Sequence, residues 1–442
     1  MKGLLFTYLL TYGGAIAAIV EPFIGLLVYI GFAILKPEAM WPWSVPQANF
    51  SRIIAIALLA GWALQGFRGW DLGRGKAVIM ALIGYLVWTI ISAVRAPDQV
   101  LAWGFVESLA KIVVPIVVGI TTIDSMRKLK LLVWVILLSQ AYPAFELNMT
   151  YLGGYNQLKE EGFAGLDNNS YAISLVTCSG LAFFLFLHSE RWWQKAIAAA
   201  SAAFMVHAVL FSFSRGGMLG LIVLGLSVFA IMPKGWKECL GFLMAVVIGL
   251  SLAGAEVRAR FGTSFADKEH RDESAESRVE LWAACWDTML KYPVLGVGPD
   301  HMPLRMDQYG FRRGKEAHTL WLQIGAELGF PGVLLLMSYY GICLVRLWPI
   351  ARGKTPVVDP WLTYLARMVV ASLCGFVVSA QFVSLESLES PYYIALVGAG
   401  VLMLSDRSLP PVQDSGSSAM QSVDEPAPAD FVRVNDRGQI YI

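Results

Sequence analysis

The sequence predicts an all-α, polytopic integral membrane protein with about twelve or thirteen transmembrane helices and one large loop that carries short amphipathic helices. Of its 442 residues, 56% are hydrophobic and only 15% are charged, whereas soluble globular domains carry about 25% charged residues. The hydrophobic residues are gathered in blocks, and a helix needs about 20 apolar residues to cross a bilayer. One long polar stretch, residues 255–318, interrupts these blocks.

Thirteen apolar segments are candidates for membrane-spanning helices. Only Glu21 and Pro22 separate the first two, which are therefore either a tight hairpin or one broken span. The N-terminus leads straight into further apolar residues without a small-residue cleavage pattern, which predicts a retained span and not a signal peptide. The segments are residues 4–20, 22–36, 52–67, 76–94, 103–122, 129–150, 169–188, 194–212, 217–232, 238–254, 329–349, 362–384 and 390–405.

Four regions follow from this pattern. Residues 1–254 are predicted to form an N-terminal transmembrane bundle, residues 255–328 a polar loop, and residues 329–405 the C-terminal transmembrane helices. The tail, residues 406–442, is rich in Ser, Pro and Asp and lacks apolar periodicity, which predicts a disordered cytoplasmic end.

Basic residues occur in every second loop, and short cytoplasmic loops of membrane proteins carry an excess of Lys and Arg. The alternation predicts a multi-pass protein of the bacterial inner membrane in which these loops face the cytoplasm and the loop at 255–328 faces the periplasm. The basic residues concerned are Arg68, Arg74, Lys76, Arg127, Lys128, Lys130, Arg191, Lys195, Lys234, Lys237, Arg346, Arg352 and Lys354.

Composition and spacing argue against several classes of function. A formal net charge of +1 gives no support for a nucleic-acid partner. The five cysteines form no CxxC pair, and no cluster of His, Cys and carboxylate has metal-ligand spacing. The sequence also has no glycine-rich nucleotide loop and no serine nucleophile elbow. We therefore expect neither a metal nor another cofactor.

Arg215 stands in FSFSRGGMLG between two apolar segments, on the side predicted to be poor in basic residues. One interpretation is a short turn whose Arg reaches lipid phosphates. The other is an anion site, because Gly216 and Gly217 let backbone N–H groups approach a phosphate at a helix N-terminus while the guanidinium binds it with two parallel hydrogen bonds. In that interpretation Ser214 and Gly216 border the anion.

Two further candidates lie in the polar loop. Arg278 begins an amphipathic helix whose Trp282 is expected to hold it near the membrane surface. The alternative for Arg278 is a solvated charge at a helix end. His318 precedes a second helix, which carries Gln323, and an imidazole at this position could act as a general base near neutral pH.

Asp167 and Asn168 open the apolar segment at residue 169, on the side predicted to be periplasmic. A helix N-cap is the simple explanation, because Asp and Asn side chains accept hydrogen bonds from the first N–H groups of a helix. The alternative is that both residues contribute to substrate binding.

Three motifs together resemble those of the O-antigen ligase and polymerase family. They are FSFSRGGMLGL, SRVELWAACWDTMLKYPVLGVGPDHM and EAHTLWLQIGAELGFPGVLLL. The family has SRG before a span, then SR-x-x-x-W and P-x-x-G-x-G in a long loop, then a His followed by a helix that ends in E-x-G-x-x-G. Thr319 departs from the pattern, since the family often has Asn or Ser there. The matching residues are Ser214, Arg215, Gly216, Ser277, Arg278, Trp282, Pro293, Gly296, Gly298, His318, Gln323, Glu327, Gly329 and Gly332.

The N-terminal half, with Pro22, Lys36-Pro37 and GLDNNSYAIS, resembles the exosortase-associated O-glycosylation ligase subgroup. The resemblance implies a metal-independent, inverting glycosyltransferase whose donor is a glycan on undecaprenyl diphosphate. It also implies that Arg215 and Arg278 stabilise the diphosphate, that His318 is the base, and that the loop at 255–328 is catalytic.

The acceptor stays open at this point. A ligase would join the glycan to a lipid A core sugar, in lipopolysaccharide biosynthesis, or to a hydroxyl group on a protein, whereas a Wzy-type polymerase would join two lipid-linked repeat units. A transporter or flippase of lipid-linked oligosaccharide would be expected to show inverted repeats, and the sequence shows no internal repeat. We therefore expect a ligase whose site faces the periplasm and whose other partners are membrane lipids.

Overall fold

Apolar stretches that enter a bilayer fold into helices because each backbone N–H and C=O group must find its partner within the chain. The computed structural model of the protein describes residues 2–236, 239–244, 247, 273–384 and 388–407. Within these ranges the regular secondary structure is helical, and an isolated bridge between Phe163 and Leu166 is the one β-type pairing. The all-α prediction is confirmed for this part of the chain.

Thirteen longer helices organise the described residues. The first contains a π-helical turn at Leu9–Gly13. Short helices at Pro37–Met40 and Gln157–Glu160 and 3-10 turns at Gly73–Gly75, Pro303–Tyr309 and Ala380–Phe382 connect them. The helices are α1 Lys2–Val20, α2 Pro22–Leu35, α3 Phe50–Leu64, α4 Lys76–Val94, α5 Gln99–Thr122, α6 Met126–Leu152, α7 Asn168–His188, α8 Trp192–Phe211, α9 Arg215–Ile231, α10 Glu273–Lys291, α11 Leu320–Ala351, α12 Pro360–Ser379 and α13 Glu389–Arg407.

Nine helical segments among the described residues are long and apolar enough to cross a membrane, and α3 and α9 are shorter apolar helices. A multi-pass membrane protein is therefore supported, while the count of twelve or thirteen spans stays a prediction. Most of the predicted span at 238–254 and nearly all of the predicted tail at 406–442 lie outside the described residues.

The first two apolar segments form two helices. Glu21 between them is extended, with φ −131° and ψ 95°. A Cβ added to Gly25 on α2 would meet the Cβ of Ala18 on α1, so the two helices pack side by side through small residues. The alternative of a tight hairpin fits this arrangement better than one broken span.

The centre of the bundle is formed by α7, α12 and α13, which pack on one another and bury most of their side chains. A second, smaller apolar cluster lies between α10, the loop at 299–317 and α11, and includes Leu281, Cys285, Met302 and Met306. Part of the predicted polar loop is therefore folded against the bundle around its own core.

Several of the predicted cytoplasmic basic loops lie together at one end of the helices. Arg346 donates a hydrogen bond to the carbonyl oxygen of Arg74 over 2.6 Å, and Lys130 Nζ lies 3.9 Å from the ring centre of Trp361. At the other end of α5, the Asp98 N–H donates to His301 Nε2 over 3.0 Å. The folded part of the polar loop thus lies at the end opposite these basic groups, and which end faces the periplasm stays a prediction.

Close packing of α9 on α12 suggests a test of the fold. A side chain at Gly220 would overlap Ser379 Oγ and approach the carbonyl oxygen of Gly375. Gly225, on the same helix, has only Phe242 nearby at 3.8 Å among the described residues. We expect Gly220→Leu to destabilise the protein by about 1–3 kcal/mol through overpacking. Thermal unfolding in detergent, with Gly225→Leu as the matched control, measures this; equal midpoints for the two variants would contradict the packing.

Candidate functional site

The Ser214-Arg215-Gly216-Gly217 motif forms the N-terminus of α9. Ser214 is the N-cap, and its Oγ accepts a hydrogen bond of 3.1 Å from the Gly217 N–H. Phe213 has a positive φ of 54°, which turns the chain sharply between α8 and α9. The first N–H groups of a helix lack intrahelical partners and carry the positive end of the helix dipole. The half-buried Arg215 therefore adds its charge to a position that already favours an anion.

Gly216 lies where α9, α10 and the end of α12 meet. Its carbonyl oxygen accepts a hydrogen bond of 3.2 Å from Ser379 Oγ, and a Cβ at this position would lie 3.0 Å from the Cβ of Phe382. The Phe382 ring is 6.3 Å from the ring of Trp282, measured between centroids. The Trp282 Nε1 atom is buried and has no hydrogen-bond partner among the described residues, so this N–H is available to a ligand.

Asp167 and Asn168 join the start of α7 to the same region. Asp167 is the N-cap of α7 and accepts a hydrogen bond of 2.8 Å from the Ser170 N–H. Asn168 Nδ2 donates over 2.8 Å to the carbonyl oxygen of Ser212, two residues before Ser214. The capping interpretation is confirmed for Asp167, and the Asn168 contact fixes this loop beside the start of α9.

Arg278 lies on α10, close enough to Arg215 and Asp167 to interact with both electrostatically. Burial lowers the pKa of the Arg278 guanidinium, the charge of Arg215 lowers it further, and Asp167 partly opposes both effects. Arg278 Nε is buried without a hydrogen-bond partner among the described residues. Because a guanidinium stays charged at neutral pH, two neighbouring cations form a site that a bound anion would stabilise.

His318 completes this group. Its backbone is in the left-handed region, with φ 52°, directly before α11. Burial lowers the pKa of the imidazole, Arg278 and Lys315 lower it further, and Asp167 acts in the opposite direction. The ring is therefore mostly neutral at pH 7 and able to accept a proton. The next residue, Thr319, is fully buried, and its Oγ1 has no hydrogen-bond partner within the described ranges.

Gln323 holds the backbone around His318. Its Oε1 accepts hydrogen bonds from Ser384 Oγ at 2.5 Å and from the Ala317 N–H at 3.3 Å. Its Nε2 donates to Glu327 Oε1 over 3.4 Å. Both ends of the amide thus contact the protein, so the predicted role of Gln323 in binding substrate is expected to be indirect.

Glu327 belongs to the E-x-G-x-x-G motif, and its side chain holds the backbone of the loop through hydrogen bonds. It is completely buried, and its carboxylate accepts hydrogen bonds from the Asp300 N–H at 2.8 Å and the Met302 N–H at 3.2 Å. A carboxyl group in an otherwise apolar stretch is the signal that could have identified it, because a polar group is buried only where hydrogen-bond partners are arranged around it.

The glycines of the P-x-x-G-x-G motif bring the loop into backbone contact with α11. Gly296 has φ +66°, and a Cβ there would overlap the carbonyl group of Glu327. The N–H groups of Val297 and Gly298 donate to the carbonyl oxygens of Ala326 and Glu327, each over 3.0 Å. The α11 helix bends at Gly329, where φ is 71° and ψ is −177°. The motif therefore docks the loop onto this bend.

Three residues that the sequence did not single out attach the loop to α4 and α5. Trp88 Nε1 donates to the carbonyl oxygen of Leu328 over 2.9 Å, and Ser92 Oγ donates to that of Leu295 over 2.7 Å. His301 is buried, and its Nε2 accepts a hydrogen bond of 3.0 Å from the Asp98 N–H. Single residues of this kind carry no spacing signal, so only their tertiary contacts reveal them.

Among the described residues, no group of three or more His, Cys, Asp or Glu side chains could hold a metal ion. Metal-independent chemistry stays a prediction. The titratable residues that are brought together are instead Arg215, Arg278, His318 and Asp167. Their sequence positions span 152 residues, from 167 to 318, counting both ends.

Docking of the loop through Gly296 can be tested. Gly310 has φ +83°, and no described residue lies within 4 Å of an added Cβ, so Gly310→Ala costs only the strained backbone conformation, about 1–2 kcal/mol. We expect Gly296→Ala to lower the free energy of unfolding by about 1–3 kcal/mol more than Gly310→Ala does, because the added Cβ also displaces the α11 backbone. Thermal unfolding of both variants measures the difference, and equal losses would argue against the backbone contact.

Comparison with known proteins gives two matches along the chain. Residues 1–191 match a family of unknown function (DUF5935), and residues 200–337 match the family described as O-antigen ligase. No curated protein matches the chain. The exosortase-associated subgroup stays a prediction. The O-antigen ligase match spans residues 200–337, which include Arg215, Arg278 and His318 in their predicted order, and it supports an assignment to the O-antigen ligase family.

Proposed function

We propose that the protein is a membrane-embedded glycosyltransferase of the O-antigen ligase type, which transfers a glycan from undecaprenyl diphosphate to an acceptor hydroxyl on the periplasmic face. The observation that carries this proposal is that Arg278 interacts electrostatically both with Arg215 and with His318. Two cations suited to a diphosphate thus lie close to each other, and one of them, Arg278, lies close to an imidazole that is neutral at physiological pH. The O-antigen ligase match supports the coarser class, a membrane glycan ligase or polymerase.

The identity of the sugar donor is inferred from the periplasmic compartment and from the two guanidinium groups. The periplasm has no supply of nucleotide sugars, so a sugar activated there arrives on a lipid and leaves behind a lipid diphosphate. Arg215 and Arg278 would neutralise the charge that develops on this leaving group. The N–H groups at the start of α9, bordered by Ser214 and Gly216, would add hydrogen-bond donors for the phosphate oxygens.

His318 would supply the base. As the acceptor oxygen attacks the anomeric carbon, its proton passes to an imidazole nitrogen of His318 and the bond from the anomeric carbon to the diphosphate oxygen breaks. Attack from the face opposite the leaving group inverts the configuration. Undecaprenyl diphosphate leaves as an anion, and no oxidant or further reactant is needed.

The remaining predicted residues would bind the glycan around this centre. Trp282 offers an unpartnered N–H beside Phe382. Asp167 lies near Arg278 and His318, and Asn168 fixes the loop that carries it. Hydroxyl-rich sugars pair well with such donors and acceptors. A metal ion is not required in this scheme, since the two guanidinium groups provide the positive charge.

Removal of the base or of either cation should strongly slow transfer. We expect His318→Ala to reduce the rate about 10²–10⁴-fold, and Arg215→Ala and Arg278→Ala to reduce it about 10²–10³-fold. Arg312→Ala, which removes an exposed charge of the same loop, is the matched control. The assay uses purified protein reconstituted with undecaprenyl-diphosphate glycan and candidate acceptors in the presence of a chelator.

The same assay separates the alternatives. Transfer to lipid A core or to a protein hydroxyl supports a ligase, whereas products of growing length on the lipid indicate a Wzy-type polymerase. Movement of lipid-linked glycan across vesicles without any new glycosidic bond would overturn the proposal in favour of a flippase. Full activity of His318→Ala would show that His318 is not the base.

The lowered pKa of His318 predicts the pH dependence of transfer. The rate should stay high as the pH falls to about 6.5, the usual value for histidine, and should decline only below it, when the ring becomes protonated. Lys315 contributes to lowering this pKa, so Lys315→Ala should move the acid limb of the pH–rate profile to higher pH. Arg313→Ala, at an exposed neighbouring position, serves as the control; an unchanged profile for Lys315→Ala contradicts the assignment.

A further inference from the structure

Three exposed charged side chains on α3 and α5 lie away from the candidate site, and two of them, Glu107 and Lys111, lie well inside the membrane-spanning α5. Glu107 on α5 contacts Arg52 on α3 at 3.0 Å and Lys111 on α5 at 2.9 Å, and all three side chains are more than half exposed. At 1.5 Å per residue, Lys111 lies about 17 Å from the Thr122 end of α5 and about 18 Å from the Gln99 end. Charges at this depth are costly and mark functional positions in membrane proteins.

A cavity of about 260 Å³ adjoins this charged group between α2, α3, α5 and the start of α13. A cavity holds one water molecule at about 10–15 Å³, so this one admits a much larger polar group. Its polar lining combines ammonium, carboxylate and hydroxyl groups, and Lys111 belongs both to the cavity wall and to the exposed surface. The charged lining residues are Lys36, Glu38, Lys111 and Glu389.

The cavity wall contains polar groups that the protein itself does not fully pair. Lys36 Nζ and Glu389 Oε2 are 3.7 Å apart, whereas a close charged hydrogen bond measures about 2.7–2.9 Å. Tyr393 is completely buried, and its hydroxyl has no hydrogen-bond partner among the residues that the structure describes. Because an unpaired buried hydroxyl is unfavourable, a ligand that reaches Tyr393 would gain from this contact.

The short length of α3 is expected to give a lipid head group access to the cavity from the bilayer. This helix has 15 residues, which at 1.5 Å each span only about 22 Å. The hydrocarbon core of a bilayer is about 30 Å thick, and a short helix thins the bilayer around it. Lipid head groups beside α3 are therefore expected to lie deeper than usual, near Arg52 and the edge of the cavity.

We propose that this cavity binds the phosphoethanolamine head group of a membrane phospholipid, a function separate from the glycan transfer proposed above. The phosphate would bind Lys36 and the Tyr393 hydroxyl, and the ammonium group would bind Glu389. A purely anionic head group would bring further negative charge towards Glu38 and Glu389. A choline head group has no N–H with which to donate to a carboxylate, so a primary amine fits the lining best.

Lipid binding to the full-length protein tests this inference without any transfer assay. Delipidated protein in detergent is titrated, by native mass spectrometry, with phosphatidylethanolamine, its mono- and dimethylated forms, phosphatidylcholine and phosphatidylglycerol of identical chains. We expect affinity to fall with each methyl group, to about tenfold weaker for phosphatidylcholine. Equal binding across the methylated series, or a preference for phosphatidylglycerol, would overturn the proposal. This outcome is measured on the wild-type protein and needs no variant.

Variants then locate the site. Glu389→Gln and Lys36→Gln should each weaken phosphatidylethanolamine binding about tenfold, and Glu389→Gln should also remove the difference between the ethanolamine and choline lipids. Lys128→Gln, which removes a cation paired with Asp124 elsewhere on the protein, is the matched control. Unchanged lipid selectivity in folded Glu389→Gln protein would contradict the assignment of the amine to this carboxylate.

Discussion

Glu327 has no exposed surface, and its carboxylate accepts hydrogen bonds from the backbone N–H groups of Asp300 and Met302. The same stretch of α11 receives the loop through Gly296, whose missing side chain permits backbone contact. Because an isolated buried carboxylate is strongly unfavourable, the loop cannot leave Glu327 without a large cost. This constraint fixes the residues before α11, including His318, relative to the membrane helices.

The site that results concentrates positive charge. Arg215 and Arg278 come from different helices, and Asp167 is the acidic group that acts on both Arg278 and His318. Packing holds the two positive charges close together, and their repulsion destabilises the site when it is empty. Binding of an anion relieves this repulsion, which contributes to the free energy of binding. Burial and the charges of Arg278 and Lys315 lower the pKa of His318 and keep it neutral, which connects anion binding to the proposed role of the base.

The sequence predicted the helical membrane architecture and the candidate residues Arg215, Arg278 and His318, because apolar blocks and ordered motifs are local signals. It also predicted that Asp167 caps a helix. It did not reveal the anchoring roles of Trp88, Ser92 and His301, nor the charged cavity beside Lys111. These depend on contacts between residues far apart in the chain, for which single-residue patterns carry no information.

By itself, the sequence determined which segments are helical, which residues can carry charge chemistry, and the order of the motifs along the chain. Only the tertiary structure decided that Gln323 and Glu327 turn inward to hold the loop, and that Arg52, Glu107 and Lys111 form one exposed charged group. The physical reason is that helix formation follows from hydrophobic periodicity and backbone pairing. The partner of a polar side chain, by contrast, is set by how the helices pack.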